Sequence, residues 1–598
     1  MGMSMAIGNG PSRRGKLRSE RFSEICESLE SAAPADLLSA SPRSRSQEEK
    51  RRGAVYTPKL LADFIALKIW EQAPDNSAGA ISVLDPAMGD GELLHSLLEK
   101  MGQAADCVNV YGFETDPSAF REASSRLKQC FPDISFTLLP DDFIGFITDG
   151  GSLDIPNRFD LIIANPPYVR TQIMGQKKAR FLAKSFGLVG RVDLYHIFIL
   201  GILQLLSPGG AAGIIVPNRL LTTKSGDGVR RAVLERSRVA HIWDLGDTRL
   251  FEAAVLPALL LLCGPAGPAE GPPAFSKIYS TLARAENTVS DPVAALSKEG
   301  VVETRDGRRF RVVHGRLDAG RKNDDVWRIA TDMVDRWLKV VEANSWGTFG
   351  DIGRIRVGVK TCADKVFIRR DWQAMDEAER PELLRPLTTH FIARRFRALE
   401  DNDYQILYPH ETVEGRCRPL ELEKYPRSEE YLSRHGEKLK GRDYISRVGR
   451  RWYEIWVPHN PDDWQPPKLV FRDIAAKPLF WLDFSGSVVQ GDCYWLLCRE
   501  PGREDLLWLA AAAANSSFME KYYDNCFNNK LFSGRRRFIS QYVSRFPLPD
   551  PDSELGRRII AAAKWIYANI DSPDLDDALR ELDANIWRAF GFTDEEAR

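Results

Sequence analysis

The chain lacks most of what marks a secreted, membrane-embedded or metal-built protein. Its nine cysteines are scattered over 598 residues. No C-x-x-C pair or Cys/His cluster occurs, so neither a zinc site nor a disulfide framework is expected. The eight histidines are equally dispersed, and no metal site is expected among them. No apolar run is long enough to span a bilayer. The best candidate, Val255 to Cys263, falls far short of the ~20 residues a span needs. The N-terminus carries basic residues without an apolar signal core, so a cytoplasmic protein without membrane contact is expected. Charge of one sign is missing too. A formal net charge of −1 excludes whole-molecule attraction to nucleic acid, though not a local basic cleft. No repeat of fixed period is apparent.

What is present is a chain too long for a single core, which should divide into two or three domains. Residues 1–50 are rich in Ser, Arg, Glu and small residues and read as a mobile arm. From 51 to 263, apolar strand-like runs alternate with amphipathic helical stretches, the pattern of a parallel sheet flanked by helices. The strands expected are Ser82–Leu84, Val108–Phe113, Ser135–Leu139, Leu161–Ala164, Ala212–Val216, Val239–Asp244 and Leu256–Leu262. Gly264 to Pro273 has the composition of a linker. With the mixed stretch after it, residues 264–346 read as linker and connector, with a long helix around Asp325 to Ala343. From 347 to 550 the chain turns rich in Trp, Tyr and Arg, with α+β character. Residues 551–598 read as a helical segment, with amphipathic helices at Ser553 to Ile570 and Leu575 to Phe590.

The most informative junction follows the run Phe159 to Ala164, a short apolar stretch suited to a buried parallel strand. It ends on Asn165-Pro166-Pro167-Tyr168. The prolines stop the strand and stiffen the turn. They leave an amide side chain, at least one carbonyl outside the sheet ladder and an aromatic ring at the strand's C-terminal edge, where open α/β sheets bind ligands. An Asn oxygen plus a main-chain carbonyl can accept both hydrogens of one exocyclic amino group, and Tyr168 can stack on a planar base.

Earlier in the chain, Val83-Leu84-Asp85-Pro86-Ala87-Met88-Gly89-Asp90-Gly91 reads as a strand, an acid and a tight glycine turn before a helix. Taken alone, that turn serves packing equally well. About 25 residues on, a second strand ends at Glu114, where Rossmann-like folds hold a ribose diol. A third ends at Asp141-Asp142-Phe143, an acid and an aromatic able to complete an adenosine pocket. A dinucleotide site would present a helix N-terminus and spaced glycines to a pyrophosphate, but the third glycine of that fingerprint is absent, since position 94 is Leu.

These motifs, in this order, resemble the gamma-class (Taq I-type) DNA adenine-N6 methyltransferases of restriction-modification systems, over roughly residues 51 to 263. Tyr56-Thr57-Pro58 and the helix behind it are similar to that family's additional N-terminal motif, and Leu250 to Val255 to its later motif. The resemblance implies a Rossmann-like α/β, S-adenosylmethionine-dependent methyltransferase domain, followed by an α+β DNA-specificity domain and C-terminal helices. It implies S-adenosyl-L-methionine as cofactor, held by Thr57, Pro58, Asp85, Pro86, Ala87, Gly89, Gly91, Glu114, Asp142, Phe143 and Asn165. Asn165, Pro166, Pro167 and Tyr168 would be catalytic. Tyr168 and Phe251 would stack on a flipped adenine, although Phe251 suits core packing as well. The implied partners are double-stranded DNA, bound by a monomer, and a separate restriction endonuclease if one exists.

The same Asn-Pro-Pro-Tyr turn occurs in glutamine methyltransferases, because a primary amide presents a similar planar NH2. A protein or RNA amino-group methyltransferase is therefore the alternative. Against it stand the large C-terminal half and its basic clusters: Arg394-Arg395-Phe396-Arg397, the stretch from Arg434 to Arg451, and Arg535-Arg536-Arg537. The last of these, beside Gly534, suits an approach to phosphates, so Arg535, Arg536 and Arg537 are the expected DNA contacts. Ile352 to Ile368 and Leu531 to Pro549 resemble the opening and closing segments of the Taq I-type specificity domain.

Overall fold

The structure, a computed structural model, describes residues 57–74, 80–102, 107–148, 155–169, 176–189, 192–250, 256–265, 271–320, 326–400, 402–442, 445, 449–527, 535–593 and 595. The chain divides into two compact units, Met1–Ala330 and Thr331–Arg598.

The first unit is built on one large sheet. Its first seven strands are β1 (Ile81–Asp85), β2 (Val108–Phe113), β3 (Ser135–Leu139), β4 (Phe159–Ala164), β5 (Leu206–Pro217), β6 (Arg238–Asp244) and β7 (Pro257–Cys263). They lie in the order β3-β2-β1-β4-β5-β7-β6. β1 to β5 pair in parallel, and only β7 runs antiparallel to its neighbours β5 and β6. This is the doubly wound α/β arrangement that the resemblance implies. Strand order reverses between β1 and β4, so the chain diverges there to either side, and that is where an open sheet forms its binding crevice.

Burial on both faces explains why β4 reads as an unbroken apolar run. Leu161 and Ile163 pack into one core with the helices Lys59–Glu71 and Glu92–Met101. Ile162 and Ala164 point the other way, into a core with the helices Leu194–Leu205 and Asp227–Arg236. The helix Leu194–Leu205 is apolar all round because ten of its residues are buried, as expected of a helix enclosed by its neighbours.

Residues 264–346 depart from the linker-and-connector expectation. β8 (Ala274–Ser280), β9 (Asn287–Val289), β10 (Gly300–Thr304), β11 (Arg309–Asp318) and β12 (Arg328–Ala330) extend the same sheet beyond β6. The expected long helix is shorter, Asp332–Ala343, and belongs to the second unit. β11 alternates charge with burial. Phe310 and Val312 are buried while Arg309 and Arg311 face outward, the period-two pattern of an antiparallel strand with one solvated face.

The second unit is α+β. A five-stranded sheet includes Gly353–Val357, Lys468–Arg472 and Cys493–Cys498, and a four-stranded sheet includes Leu384–Thr388. The helices Glu554–Ala568 and Leu575–Ala589 close the described chain, within two residues of their expected bounds at each end. Among the described residues, no helix is long and apolar enough to cross a membrane.

Candidate active site

The sheet topology gathers the sequence motifs without further argument. β1 pairs with both β2 and β4, so Asp85, Glu114 and Asn165, at or just past the ends of these strands, share one edge at the switch point.

Asp85 closes β1 and is fully buried. Its Oδ1 accepts from the Ala87 amide at 2.9 Å, while its Oδ2 is buried without a hydrogen-bond partner. Burial, with Glu114 and Asp90 nearby, pushes its carboxyl up to about 8. An unmet carboxylate oxygen in such a place favours a donor or cation beside it. Gly89 and Gly91 take φ of 54° and 80°, left-handed conformations that favour glycine. They turn the backbone so that the Gly89 amide donates to Glu114 Oε2 at 3.0 Å. Glu114 Oε1 accepts from the Asp116 amide at 2.6 Å. Each carboxylate oxygen accepts one backbone bond and retains capacity for another. Glu114 is thereby aimed before any ligand arrives.

The Asn165 amide is held at both ends. Its Nδ2 donates to Thr57 Oγ1 at 3.0 Å, and its Oδ1 accepts from the Tyr168 hydroxyl at 3.0 Å. Thr57 precedes the helix Lys59–Glu71, which packs on the sheet. The N-terminal motif therefore meets the Asn-Pro-Pro-Tyr turn directly. Pro166 is buried, and Pro167 and Tyr168 are half-buried.

Three residues behind Tyr168 carry no motif signal. Tyr195 stands edge-on to the Tyr168 ring, 6.2 Å between centroids at 81°. Arg219 lies over the Tyr195 ring at 5.7 Å and pairs with Asp193 at 2.8 Å. His196, next along, is buried beside Arg219 and Arg230, and burial first, then those two charges, lowers it to about 3. It stays neutral and accepts from the Asp193 amide through Nδ1. Tyr195 and His196 sit within an apolar helix, so the sequence presented them only as core.

Asp142 and Phe143 follow β3, which pairs in parallel with β2. Asp142 accepts from the Ile144 amide at 3.0 Å and caps the short helix Phe143–Thr148. Phe143 is 1% exposed and packs on Phe113 and Phe198 at 5.5 and 5.2 Å. It is a core side chain in this structure rather than an open wall. Phe251 lies outside the described residues.

In the second unit, the three arginines do not act alike. Arg536 is 7% exposed, with its guanidinium on Asp524, Glu520 and the Ala476 carbonyl. Those partners use it as a structural ion, which corrects its expected place among the DNA contacts. Arg537 forks onto Asp473 at 3.1 and 3.2 Å. Arg535 is exposed.

Known proteins resolve the family. Residues 118–251 match the model of the Eco57I restriction-modification methylase family. The type II methyltransferase M.BanIII of Aneurinibacillus aneurinilyticus is 36% identical over 86% of this chain and 92% of its own length. This chain belongs to the type II restriction-modification methyltransferases. A more distant member, M.BstVI of Geobacillus stearothermophilus, is 24% identical over 84% of this chain and 91% of its own. Among solved structures, a DrdV–DNA complex is similar at 14% identity, with a TM-score of 0.48, over 87% of this chain and 57% of that one. This type II methyltransferase carries its Asn-Pro-Pro-Tyr turn, Asp85 and Glu114 on one sheet edge, within one unit.

Proposed function

We propose that this methyltransferase transfers a methyl group from S-adenosyl-L-methionine to the N6 amino group of adenine at a specific site in duplex DNA, after extruding the base from the helix. The observation that carries the reading is the doubly anchored Asn165 amide at the switch point, beside the unmet oxygen of Asp85.

The residues present fit the cofactor. Asp85 offers a buried acceptor to a cationic amino group, and Glu114 offers preset oxygens to a ribose diol. When bound, S-adenosylmethionine supplies an electrophilic methyl group on a sulfonium. The chain's own work is done on the acceptor. An adenine amino nitrogen is a poor nucleophile because its lone pair is delocalised into the ring. Hydrogen bonds from its two N–H groups to Asn165 Oδ1 and the Pro166 carbonyl favour a pyramidal nitrogen with a localised pair. Tyr168 stacks on the base, and position and electrostatics carry the rate, without a covalent enzyme intermediate. An amino group inside a duplex is out of reach of such a pocket, so the base must flip.

The test is incubation with unmodified DNA and methyl-labelled S-adenosylmethionine, followed by digestion to nucleosides. Label in N6-methyladenine is expected, and loss of that label in Asn165→Ala with cofactor binding kept. Label in cytosine, or in protein or RNA fractions in place of DNA, overturns the reading.

A further inference from the structure

The strands that extend the sheet beyond β6 hold one corner of the substrate edge. β5 continues past Ile214, the partner of Ala164, to Pro217, and Asn218 follows. β6 ends at Asp244, whose side chain is fully buried. Asp244 Oδ2 accepts from the Tyr279 hydroxyl of β8 at 2.8 Å. Its Oδ1 accepts from the Gly246 amide at 3.2 Å and from Asn218 Nδ2 at 3.4 Å. A carboxyl buried this far destabilises a fold unless donors meet it. Here the donors come from three separate segments and tie them together.

The turn after Asp244 is held residue by residue. Leu245 donates its amide to the Pro257 carbonyl at 3.0 Å. Gly246 has a φ of 50° and passes so close to β8 that a Cβ would stand 2.1 Å from the Ile278 carbonyl oxygen. No side chain fits there. Asp247 accepts from the Ser280 amide at 2.7 Å. Thr248 is fully buried, and its carbonyl accepts from Arg308 Nη1 at 2.6 Å, reaching from the turn between β10 and β11. Arg249 follows in the left-handed region at φ 55°, a conformation that persists in a non-glycine residue only where its surroundings impose it. Across the same connection, the Leu256 carbonyl accepts from the Asn218 amide at 2.8 Å.

We propose that Asp244, Tyr279 and Arg308 are positioning residues for methyl transfer, holding the Asp244–Arg249 turn and the adjoining ends of β5 and β7 at the edge where the extruded base meets Asn165. The inference rests on the DNA-methylating reading above and deepens it. Strands β8 to β11 are thereby assigned the work of a scaffold for the acceptor side, apart from the cofactor side at β1 and β2. Nothing in the clamp touches the reacting atoms, and its effect passes through the backbone it holds.

The experiment begins with the unaltered chain. Sequencing of methylated DNA fixes the target position, and a duplex with 2-aminopurine at that position reports extrusion by fluorescence. Tyr279→Phe removes one hydroxyl and keeps the ring, and Arg308→Gln removes the bond to Thr248. Both are expected to bind S-adenosylmethionine within about twofold of the parent, while single-turnover transfer falls by up to about 10²-fold, as for a displacement on the order of 1 Å. The extrusion signal should fall with it. Asp244→Asn, which keeps an acceptor for Gly246, should retain more transfer than Asp244→Ala. Tyr279→Phe matching the parent in transfer and extrusion overturns the proposal alone. So does a parallel loss of cofactor affinity and melting temperature, which would mark a general structural role. A parent chain that leaves DNA unmethylated overturns the underlying reading and the proposal with it.

Discussion

Thr57 and Asn165, 108 residues apart in sequence, are joined by one hydrogen bond, in which Asn165 Nδ2 donates to Thr57 Oγ1 at 3.0 Å. The two ends of a carboxamide have nearly the same shape, and only their partners decide which way it points. Thr57 takes the nitrogen end, which leaves the oxygen toward Tyr168, the side on which a substrate amino group needs an acceptor. On the proposed reading, the Thr-Pro motif, expected among the residues that hold the cofactor, also orients the acceptor oxygen.

Thr57→Val keeps the shape of the side chain and removes the hydroxyl. Transfer should slow by about fivefold, the equivalent of one hydrogen bond of about 1 kcal/mol, and Thr57→Ser should restore it. Single-turnover rates at saturating cofactor check this, with cofactor affinity measured separately. A Val variant that loses affinity but keeps its saturated rate would assign Thr57 to the cofactor alone.

Tyr168 has two duties that substitution separates. Tyr168→Phe loses the bond to Asn165 Oδ1 and keeps the ring, so kcat/KM should fall by less than about tenfold. Tyr168→Ala loses the stacking face as well, which is worth about 1 to 3 kcal/mol per base. Steady-state kinetics on both variants order the effects. Equal losses would mean that the hydroxyl, not the face, is what matters.

If Asp85 holds the cofactor as proposed, it should make cofactor binding sensitive to pH. Its carboxyl is raised from 3.8 to about 8 by burial, so it is mostly protonated at neutral pH in the free protein. Pairing with a cationic amino group requires the charged form. S-adenosylmethionine affinity should therefore rise about tenfold per pH unit from about pH 6 and level off near the carboxyl's own value. The sign for stability is opposite. The folded state holds this proton more tightly than the unfolded chain does, so the group's contribution to stability falls as pH rises from 3.8 toward about 8. Titration calorimetry across this range tests the first statement. Asp85→Asn should remove the slope.

The edge that gathers Asp85, Glu114 and Asn165 was legible in the sequence because strand ends, glycine turns and Asn-Pro-Pro-Tyr are local signals. Val108–Phe113 and Ser135–Leu139 fall where the alternation places them. What was not legible depends on partners distant in sequence. β8 joins the sheet between β6 and β11, neither of them its neighbour in sequence. Tyr195 reads as core because its neighbours are apolar, and nothing in the sequence ties it to Tyr168. Asp244 carries no motif at all, since its three donors lie on different segments. Phe143 was placed at a pocket by its motif, yet three-dimensional packing gives its ring to the core. Runs of like charge mislead for the same reason, because a sequence cannot show which member turns inward.

Arg535 and Arg536 put that last point to measurement. Arg536 is buried against Asp524 and Glu520, so Arg536→Ala leaves two carboxylates without their cation. Asp524 and Glu520 keep 24% and 27% of their side-chain exposure, so losing the cation costs about 1 to 3 kcal/mol, and the expected result is a fall in melting temperature. Arg535 is exposed, and Arg535→Ala should leave stability unchanged. If it meets a phosphate, as expected from the arginine run beside Gly534, the slope of log affinity for DNA against log salt falls by about 1. Thermal melts and anisotropy titrations at several salt concentrations separate the two. A stable Arg536→Ala variant with weakened, less salt-dependent DNA binding would return that residue to the interface and show that its carboxylate partners give it up when DNA is bound.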